Sequence, residues 1–350
     1  MRKLASIRRI ADIRPIPDAD AIEVAVVDGW KVVVKKGEYS VGDLAVYLEI
    51  DSWVPHELAP FLSKGQSPRN YNGVIGEKLR TVKLRGQVSQ GLLLDITVDD
   101  GWHYINSVAS DTHESRFVDL GETVVDGQDV TELLGIQKWE PEIPAQLQGQ
   151  VRGLFPTHLI PKTDQERIQN CFAEIQDNGA VTYEVTMKLD GTSCTIFRWE
   201  NELRVCSRNL ELKVNDENKD NTLVRMALKY GHRIPNGVAV QGEIMGPGVQ
   251  GNREQFKEHR FFVFDIYDID NQFYIDSLSR QVACNDYGME TVPVIDDRAA
   301  APASVDEGLA LAEGPSINHK IREGLVWKCN EDPGFSFKTI SNQFLLKGGD

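Results

Sequence analysis

The run Glu184-Val185-Thr186-Met187-Lys188-Leu189-Asp190-Gly191 places a lysine and an aspartate at the end of a strand-like segment. A lysine amine bonds to phosphorus only when it is deprotonated and in line with the leaving group. Neighbouring cations, a metal ion included, and burial both lower its pKa toward that state. Asp190 stands two residues on, on the same side of an extended segment, where it can orient the amine or hold a metal-bound water. Gly191 lets the backbone pass close to a ligand. The four-residue pattern K-x-D-G is short, and an exposed hairpin lysine reads the same way.

The residues downstream give the pattern its weight. Ser207-Arg208-Asn209 follows, then Gln241-Gly242-Glu243-Ile244-Met245-Gly246-Pro247-Gly248, a strand ending in an acid and a Gly-rich turn. Phe261-Phe262-Val263-Phe264-Asp265-Ile266 comes next, followed by Arg322-Glu323-Gly324-Leu325-Val326-Trp327-Lys328 and Phe335-Ser336-Phe337-Lys338. Each has a plain reading alone, as a turn cap, a core aromatic or a solvated charge. In this order they resemble motifs I, Ia, III, IIIa, IV and V of the covalent nucleotidyltransferases, the polynucleotide ligases and RNA capping enzymes. The resemblance is closest to ATP-dependent RNA ligases of the RNA ligase 2-like kind, in the clade with an OB domain before the transferase domain.

That resemblance implies a role for each matching residue. Lys188 is the nucleophile toward the α-phosphorus of ATP, with Asp190 and Gly191 completing its motif and Glu184 and Met187 among the nucleotide-binding positions. Arg208 contacts the ribose or the 5′-phosphate. Phe264 stacks on adenine, an interaction of about 1–3 kcal/mol per base. Glu243 and Glu323 act at the ribose and the metal, and Lys338 neutralises the α-phosphate. Relatives often carry a Lys-x-Lys pair in motif V, whereas Lys338 is followed here by Thr339-Ile340; Lys328 is the candidate for the second charge. Carboxylates facing ATP make sense only with a divalent cation between them, so Asp190, Glu243 and Glu323, directly or through water, are the expected ligands of Mg or Mn. The implied reaction joins 3′-OH and 5′-phosphate RNA ends, with nicked duplex carrying RNA on the 3′-OH side as the expected partner. Two alternatives stay open: a DNA ligase or guanylyltransferase, and an inactive OB-fold nucleic-acid-binding protein. The twelve residues after Lys338 are too few for the further domain that DNA ligases and capping enzymes carry there.

The elements that must hold these residues form an α+β chain. Short strands at Ile22–Val27, Trp30–Lys35, Leu44–Ile50, Leu79–Leu84 and Leu92–Ile96, with Asp28-Gly29 as a hairpin signal, suggest a five-stranded OB barrel over residues 1–150. Prolines 141, 144, 156 and 161 mark residues 137–162 as a linker. Residues 151–350 read as a mixed α+β nucleotidyltransferase domain on antiparallel sheets. Its strands are Tyr183–Met187, Thr195–Trp199, Val238–Gln241, Phe261–Tyr267, Leu325–Lys328 and Phe335–Lys338. Thr163-Asp164-Gln165-Glu166 reads as a capping box before a helix through Ile168, Cys171, Phe172 and Ile175. A second helix runs through Leu223, Met226, Ala227 and Tyr230 to a stop at Gly231, and a third opens at Ser304.

Composition sets the outer bounds. The 350 residues carry 38 Lys+Arg against 53 Asp+Glu, a net charge of −15 that excludes a polybasic nucleic-acid binder. At 41% hydrophobic residues the chain can build cores and is not a disordered one. Charge is uneven: Lys64, Arg69, Lys78, Arg80, Lys83 and Arg85 face only Glu77 across residues 64–85, a basic segment suited to a nucleic-acid backbone. Five cysteines without CxxC spacing predict reduced thiols rather than a zinc site or disulfide framework. With no apolar leader or spanning segment, the expectation is a monomer in the cytoplasm or another reducing compartment, with no membrane partner.

Overall fold

A computed structural model describes residues 3–107, 116–139, 149–179 and 181–346. The chain divides into two compact units, Met1–Glu142 with Asp350, and Ile143–Gly349.

The first unit is built from strands. A five-stranded sheet runs in the order Ala5–Arg9, Leu44–Leu48, Leu92–Asp99, Trp102–Ser107, Arg116–Gly121. A three-stranded sheet joins Asp12–Pro15, Ile22–Val27 and Trp30–Lys35, and a four-stranded one joins Gln137–Lys138, Ser52–Pro55, Val74–Lys78 and Arg69–Tyr71. Val27 pairs with Trp30 across Asp28-Gly29, whose φ angles of 47° and 79° are the left-handed pair a two-residue hairpin needs. Alternate residues of these strands fill two adjoining cores, one around Ile7, Val46, Leu48 and Ile105 and one around Trp30, Val32, Tyr47 and Leu93. The expected strand Leu79–Leu84 is not continuous. Val74–Lys78 ends before it, and only Val82–Leu84 pairs, with Gln87–Ser89.

The second unit sets an eight-stranded sheet beside a five-stranded one. The larger runs Val151–Leu154, Leu210–Leu212, Glu202–Cys206, Thr192–Trp199, Val238–Met245, Arg260–Asp268, Phe273–Tyr274, with Glu290–Thr291 also on Arg260–Asp268. The smaller runs Glu166–Arg167, Ser336–Ile340, Gly324–Cys329, Thr182–Lys188, Val294–Ala300. Antiparallel pairs dominate, as the α+β reading expects. Val151–Leu154 turns the end of the expected linker into an edge strand, while Pro141 and Pro144 lie outside the described residues.

The helices cover apolar sheet faces. Thr222–Tyr230 lays Val224, Met226, Ala227 and Tyr230 on the core that also holds Cys194, Ile196 and Val240. It ends at Tyr230, yet Gly231 has a φ of −62° and carries the chain into a 3₁₀ turn rather than a left-handed stop. Ile168–Asp177 packs on Tyr183, Val185, Leu325 and Phe337. Its expected capping box does not form, because Glu166-Arg167 is taken into the sheet beside Phe337 and Lys338 and the helix starts at Ile168 without a side-chain cap. Ser304 does cap Val305–Leu311, accepting from the Glu307 N–H at 3.1 Å. The helix Ser277–Tyr287 was not expected from the sequence, although Asp276 caps it and Gly288 closes it at a φ of 64°.

Candidate active site

Lys188 is the last residue of Thr182–Lys188, and the next strand, Thr192–Trp199, belongs to the other sheet. Leu189-Asp190-Gly191 is therefore the passage between sheets and not the turn of a hairpin. Gly191 is needed for another reason than ligand approach. A Cβ there would lie 2.4 Å from the Ile244 carbonyl oxygen and 2.8 Å from Glu243 Cγ. Without that Cβ, the Gly191 N–H donates to Glu243 Oε1 at 3.1 Å. On the other side of Lys188, Gly324 is its cross-strand partner, so Glu323 arrives beside the amine. Lys188 Nζ lies 2.6 Å from Glu323 Oε1. Arg322 secures that approach. Buried, it donates to the carbonyls of Leu311, Ala312 and Glu313 at the end of Val305–Leu311, which have no partner within the helix.

The electrostatics follow from this crowding. Burial works against charge on Lys188, but the Glu323, Glu243 and Asp190 carboxylates outweigh it and hold the amine above its usual pKa. Burial first, and then the neighbouring Glu323 carboxylate, push Glu243 up to about 8, against the pull of Lys188. The same two causes raise Asp190 to about 6, with Lys188 and Arg253 opposing them. Without a ligand, the Lys188 amine is held protonated beside two carboxyls, Glu243 and Asp190, that are raised above their usual range. Glu323 Oε2 is buried and has no hydrogen-bond partner, an orphaned hard oxygen. Among the described residues no three His, Cys, Asp or Glu converge as a self-sufficient metal cage. One or two carboxylate oxygens with the rest of the shell from water and phosphate is how Mg²⁺ is bound, and Glu323 with Glu243 fits that mode.

The remaining predicted residues fall into distinct settings. Glu184, Thr186 and Lys188 share a sheet face with Lys328, Val326 and Lys338, while Tyr183, Val185, Trp327 and Phe337 fill the opposite, apolar face. Lys338 is partly exposed beside Val326. Glu184 is not open to a ligand: at 1% exposure it receives Arg280 Nη2 on both oxygens, at 2.6 and 2.8 Å. Lys328 forms a buried ion pair with Asp265 and reaches the Phe264 carbonyl at 3.4 Å, so it too is committed within the protein. One pair fastens the five-stranded sheet to the helix Ser277–Tyr287, and the other fastens it to the strand Arg260–Asp268 of the larger sheet. Gln241 pairs with Asp265 and Gly242 with Val263, which leaves Phe264 as the extra residue of a bulge. Bulges of this kind re-aim a side chain beside a site, and Phe264 packs with Met187, Leu189 and Phe262. Met187 accepts a contact from Ser316 Oγ at 3.6 Å. Arg208 is 66% exposed and pairs with Asp164 at 2.9 Å. Arg280, Arg253 and Arg322 were missed: the first two lie outside the motif segments, while Arg322 stands inside one, next to Glu323, and was given no role.

In the first unit the basic segment splits in two. Arg69 pairs with Glu77 at 2.7 Å, and Lys78 pairs with Asp51 at 2.8 Å while lying over Trp139. Arg80, Lys83 and Arg85 sit on the ribbon Val82–Leu84/Gln87–Ser89 or at its base, exposed, with no side-chain partner among the described residues. Lys64 is likewise unpaired there, in the left-handed region at a φ of 50° after a 3₁₀ turn.

A strand-borne lysine among carboxylates, at the junction of two antiparallel sheets, is an arrangement compatible with phosphoryl transfer to an amine. Comparison with known proteins narrows this class. The RNA ligase family matches residues 181–340, and an OB-fold domain matches residues 4–96. No curated protein matches. Among solved structures, an aspartate variant of Naegleria gruberi RNA ligase without ligand is 41% identical, with a TM-score of 0.77, covering 100% of this chain and 99% of that one. A lysine variant of the same ligase with AMP and Mn is 40% identical over the whole of both chains, with a TM-score of 0.77. A glutamate variant with ATP and Mn is 40% identical over the whole of both, with a TM-score of 0.76. The chain belongs to the RNA ligase family. Its first unit carries the OB-fold domain, and its second the ligase domain of mostly antiparallel sheets.

Proposed function

We propose that the protein seals RNA ends by ATP-dependent ligation in three steps. In the first, Lys188 Nζ attacks the α-phosphorus of ATP, forming a P–N bond as the bond to the β-phosphate breaks and pyrophosphate leaves. In the second, an oxygen of an RNA 5′-phosphate displaces Lys188 from the adenylate, and the lysine regains its proton. In the third, a 3′-OH attacks that 5′-phosphorus and AMP leaves. Glu323, with Glu243, would hold Mg²⁺ or Mn²⁺, which supplies positive charge to the phosphates and favours the neutral amine. The carboxylates that keep Lys188 protonated are thereby engaged elsewhere. Asp190 orients the amine, Phe264 and Met187 form the adenine side, and Lys338 faces the α-phosphate from the same sheet face as Lys188. Arg208, exposed at the surface, is placed to exchange Asp164 for a ribose or 5′-phosphate.

The observation that carries this reading is the Lys188–Glu323 contact of 2.6 Å beside the Gly191–Glu243 bond. The relative's structures with ATP or AMP and Mn support the same donor and metal. We assign Arg80, Lys83 and Arg85 to the RNA backbone and a nicked duplex as the preferred substrate. Label from α-labelled ATP, retained on wild type in a denaturing gel and absent from Lys188→Ala, is the expected outcome. Retention from GTP alone refutes the ATP assignment. Equal sealing of all-DNA and RNA-containing nicks refutes the RNA-nick assignment.

A further inference from the structure

Arg253 is a cation of the active site that no motif of the sequence marks. It follows the Gly-rich turn after Val238–Met245, where the backbone is unusually fixed. Gln250, Asn252 and Gln255 all take positive φ, at 41°, 47° and 54°. The Asn252 side chain accepts from the Phe256 N–H at 3.1 Å and donates to the Phe256 carbonyl at 2.9 Å. The next residue, Glu254, is buried, and its carbonyl accepts from Asn318 Nδ2 at 3.1 Å. The main chain on both sides of Arg253 is thus anchored, and only its side chain is free to adjust.

That side chain is held at its flat face. The guanidinium lies 4.4 Å over the ring of Phe344, a buried residue of the helix Asn342–Leu346. A stacked guanidinium keeps its rim of five N–H donors available. Nothing uses them fully: Nη1 stands 3.7 Å from Asp190 Oδ2, beyond hydrogen-bond range, and Arg253 makes no hydrogen bond to another described residue. Its side chain is 24% exposed and that of Asp190 is 27%, so solvent and ligand both reach the pair. A pre-oriented planar fork with open donors, 3.7 Å from the aspartate that stands two residues after Lys188, suits the paired oxygens of a phosphate.

We propose that Arg253 is a phosphate-binding residue of the active site, whose guanidinium passes from Asp190 to the oxygens of a phosphate brought to Lys188. The proposal rests on the ligase reading above. Its ligand chemistry is a phosphate dianion, which either the pyrophosphate end of ATP or the 5′-phosphate of RNA can supply. Transfer of Arg253 to that phosphate leaves Asp190 to Lys188.

Arg253→Met tests it, because the methionine stem still covers Phe344, and Arg253→Lys keeps charge without the fork. The full-length protein is first adenylylated. Its discharge by inorganic pyrophosphate is then followed, alongside AMP transfer to nicked duplexes with a 5′-phosphate. If the pyrophosphate arm is right, the pyrophosphate concentration for half-maximal discharge rises about ten- to hundredfold in Arg253→Met while transfer is spared. If the RNA arm is right, transfer slows by that factor while discharge is unchanged. Arg253→Lys should recover part of either loss. Wild-type behaviour of Arg253→Met in both arms overturns the proposal, as does an equal loss in both accompanied by a lowered melting temperature. Failure of the wild type to take up label would instead overturn the ligase reading itself.

Discussion

Replacing Arg280 by methionine should destabilise the catalytic unit strongly without touching the site directly. Arg280 is 0% exposed and its partner Glu184 is 1% exposed, so the substitution strands a carboxylate away from water. Breaking a buried pair on one side costs about 3–5 kcal/mol, because the remaining charge is uncompensated. The pair itself is poorly optimised. One nitrogen, Nη2, makes both contacts, while Nε and Nη1 are buried without partners. Each unmet donor costs about 1–3 kcal/mol, which cancels much of the attraction. Removing both charges should therefore restore most of the loss, and Glu184→Leu/Arg280→Met should lie within about 1 kcal/mol of wild type. For a unit of this size the single variant melts roughly 6–20 °C lower, at about 2–4 °C per kcal/mol. Urea unfolding followed by tryptophan fluorescence gives the four corners of the cycle. A double variant as unstable as Arg280→Met, or a single one within about 1 kcal/mol of wild type, would show that the pair is not the unit described here.

Other outcomes follow from the same geometry. Self-labelling with ATP should rise with pH across about 6–9, since Lys188 must lose the proton its carboxylates hold and Glu243 titrates near 8. Stability runs oppositely: a carboxyl raised from 4.5 to about 8 on folding contributes stability that is fully present below 4.5 and lost as pH rises through 8. A pH–stability slope over that window identical in Glu243→Gln and wild type would refute the assignment. Neutralising Arg80, Lys83 and Arg85 together should weaken binding to a nicked duplex and reduce the slope of log K against log salt by about 2–3, while self-labelling persists. An unchanged slope removes the ribbon from the RNA contact. Gly191→Ala drives a Cβ to 2.4 Å from the Ile244 carbonyl oxygen and 2.6 Å from Met245 Sδ, and should cut self-labelling more than tenfold; normal labelling contradicts the close packing.

Local chemistry made much of this legible in the sequence. Asp28-Gly29 and Ser304 announce a hairpin and a helix start because the turn and the cap are each satisfied by a few adjacent residues. Ordered motifs located Lys188 and Glu323 although they touch across 135 residues. What the sequence hid depends on distant partners. Glu166-Arg167 leaves its capping box for a strand because Phe337 and Lys338 offer a ladder that no local pattern reveals. Glu184 and Lys328 looked like ligand-facing charges, since burial beside Arg280 and Asp265 is a tertiary fact. The strand Val294–Ala300 was missed for the opposite reason: it is an edge strand, nearly all exposed, without the apolar alternation that marks a buried face.

The acid excess of the chain takes on a sharper meaning at the site. A net charge of −15 repels bulk nucleic acid, yet the cations that matter are placed singly, each against a carboxylate. Lys188 meets Glu323, Arg253 meets Asp190, Arg208 meets Asp164, and Lys328 meets Asp265. The first three are partly open to solvent and the last is sealed, a division that separates replaceable pairs from structural ones. An open pair at a few ångströms is worth on the order of 1 kcal/mol, within reach of a phosphate that makes two charged hydrogen bonds. The sealed Lys328–Asp265 pair ties the two sheets together, and the equally buried Glu184–Arg280 pair ties the smaller sheet to the helix Ser277–Tyr287. On the ligase reading proposed above, each open carboxylate would keep its cation ordered in the absence of ligand and give it up at little cost to a phosphate.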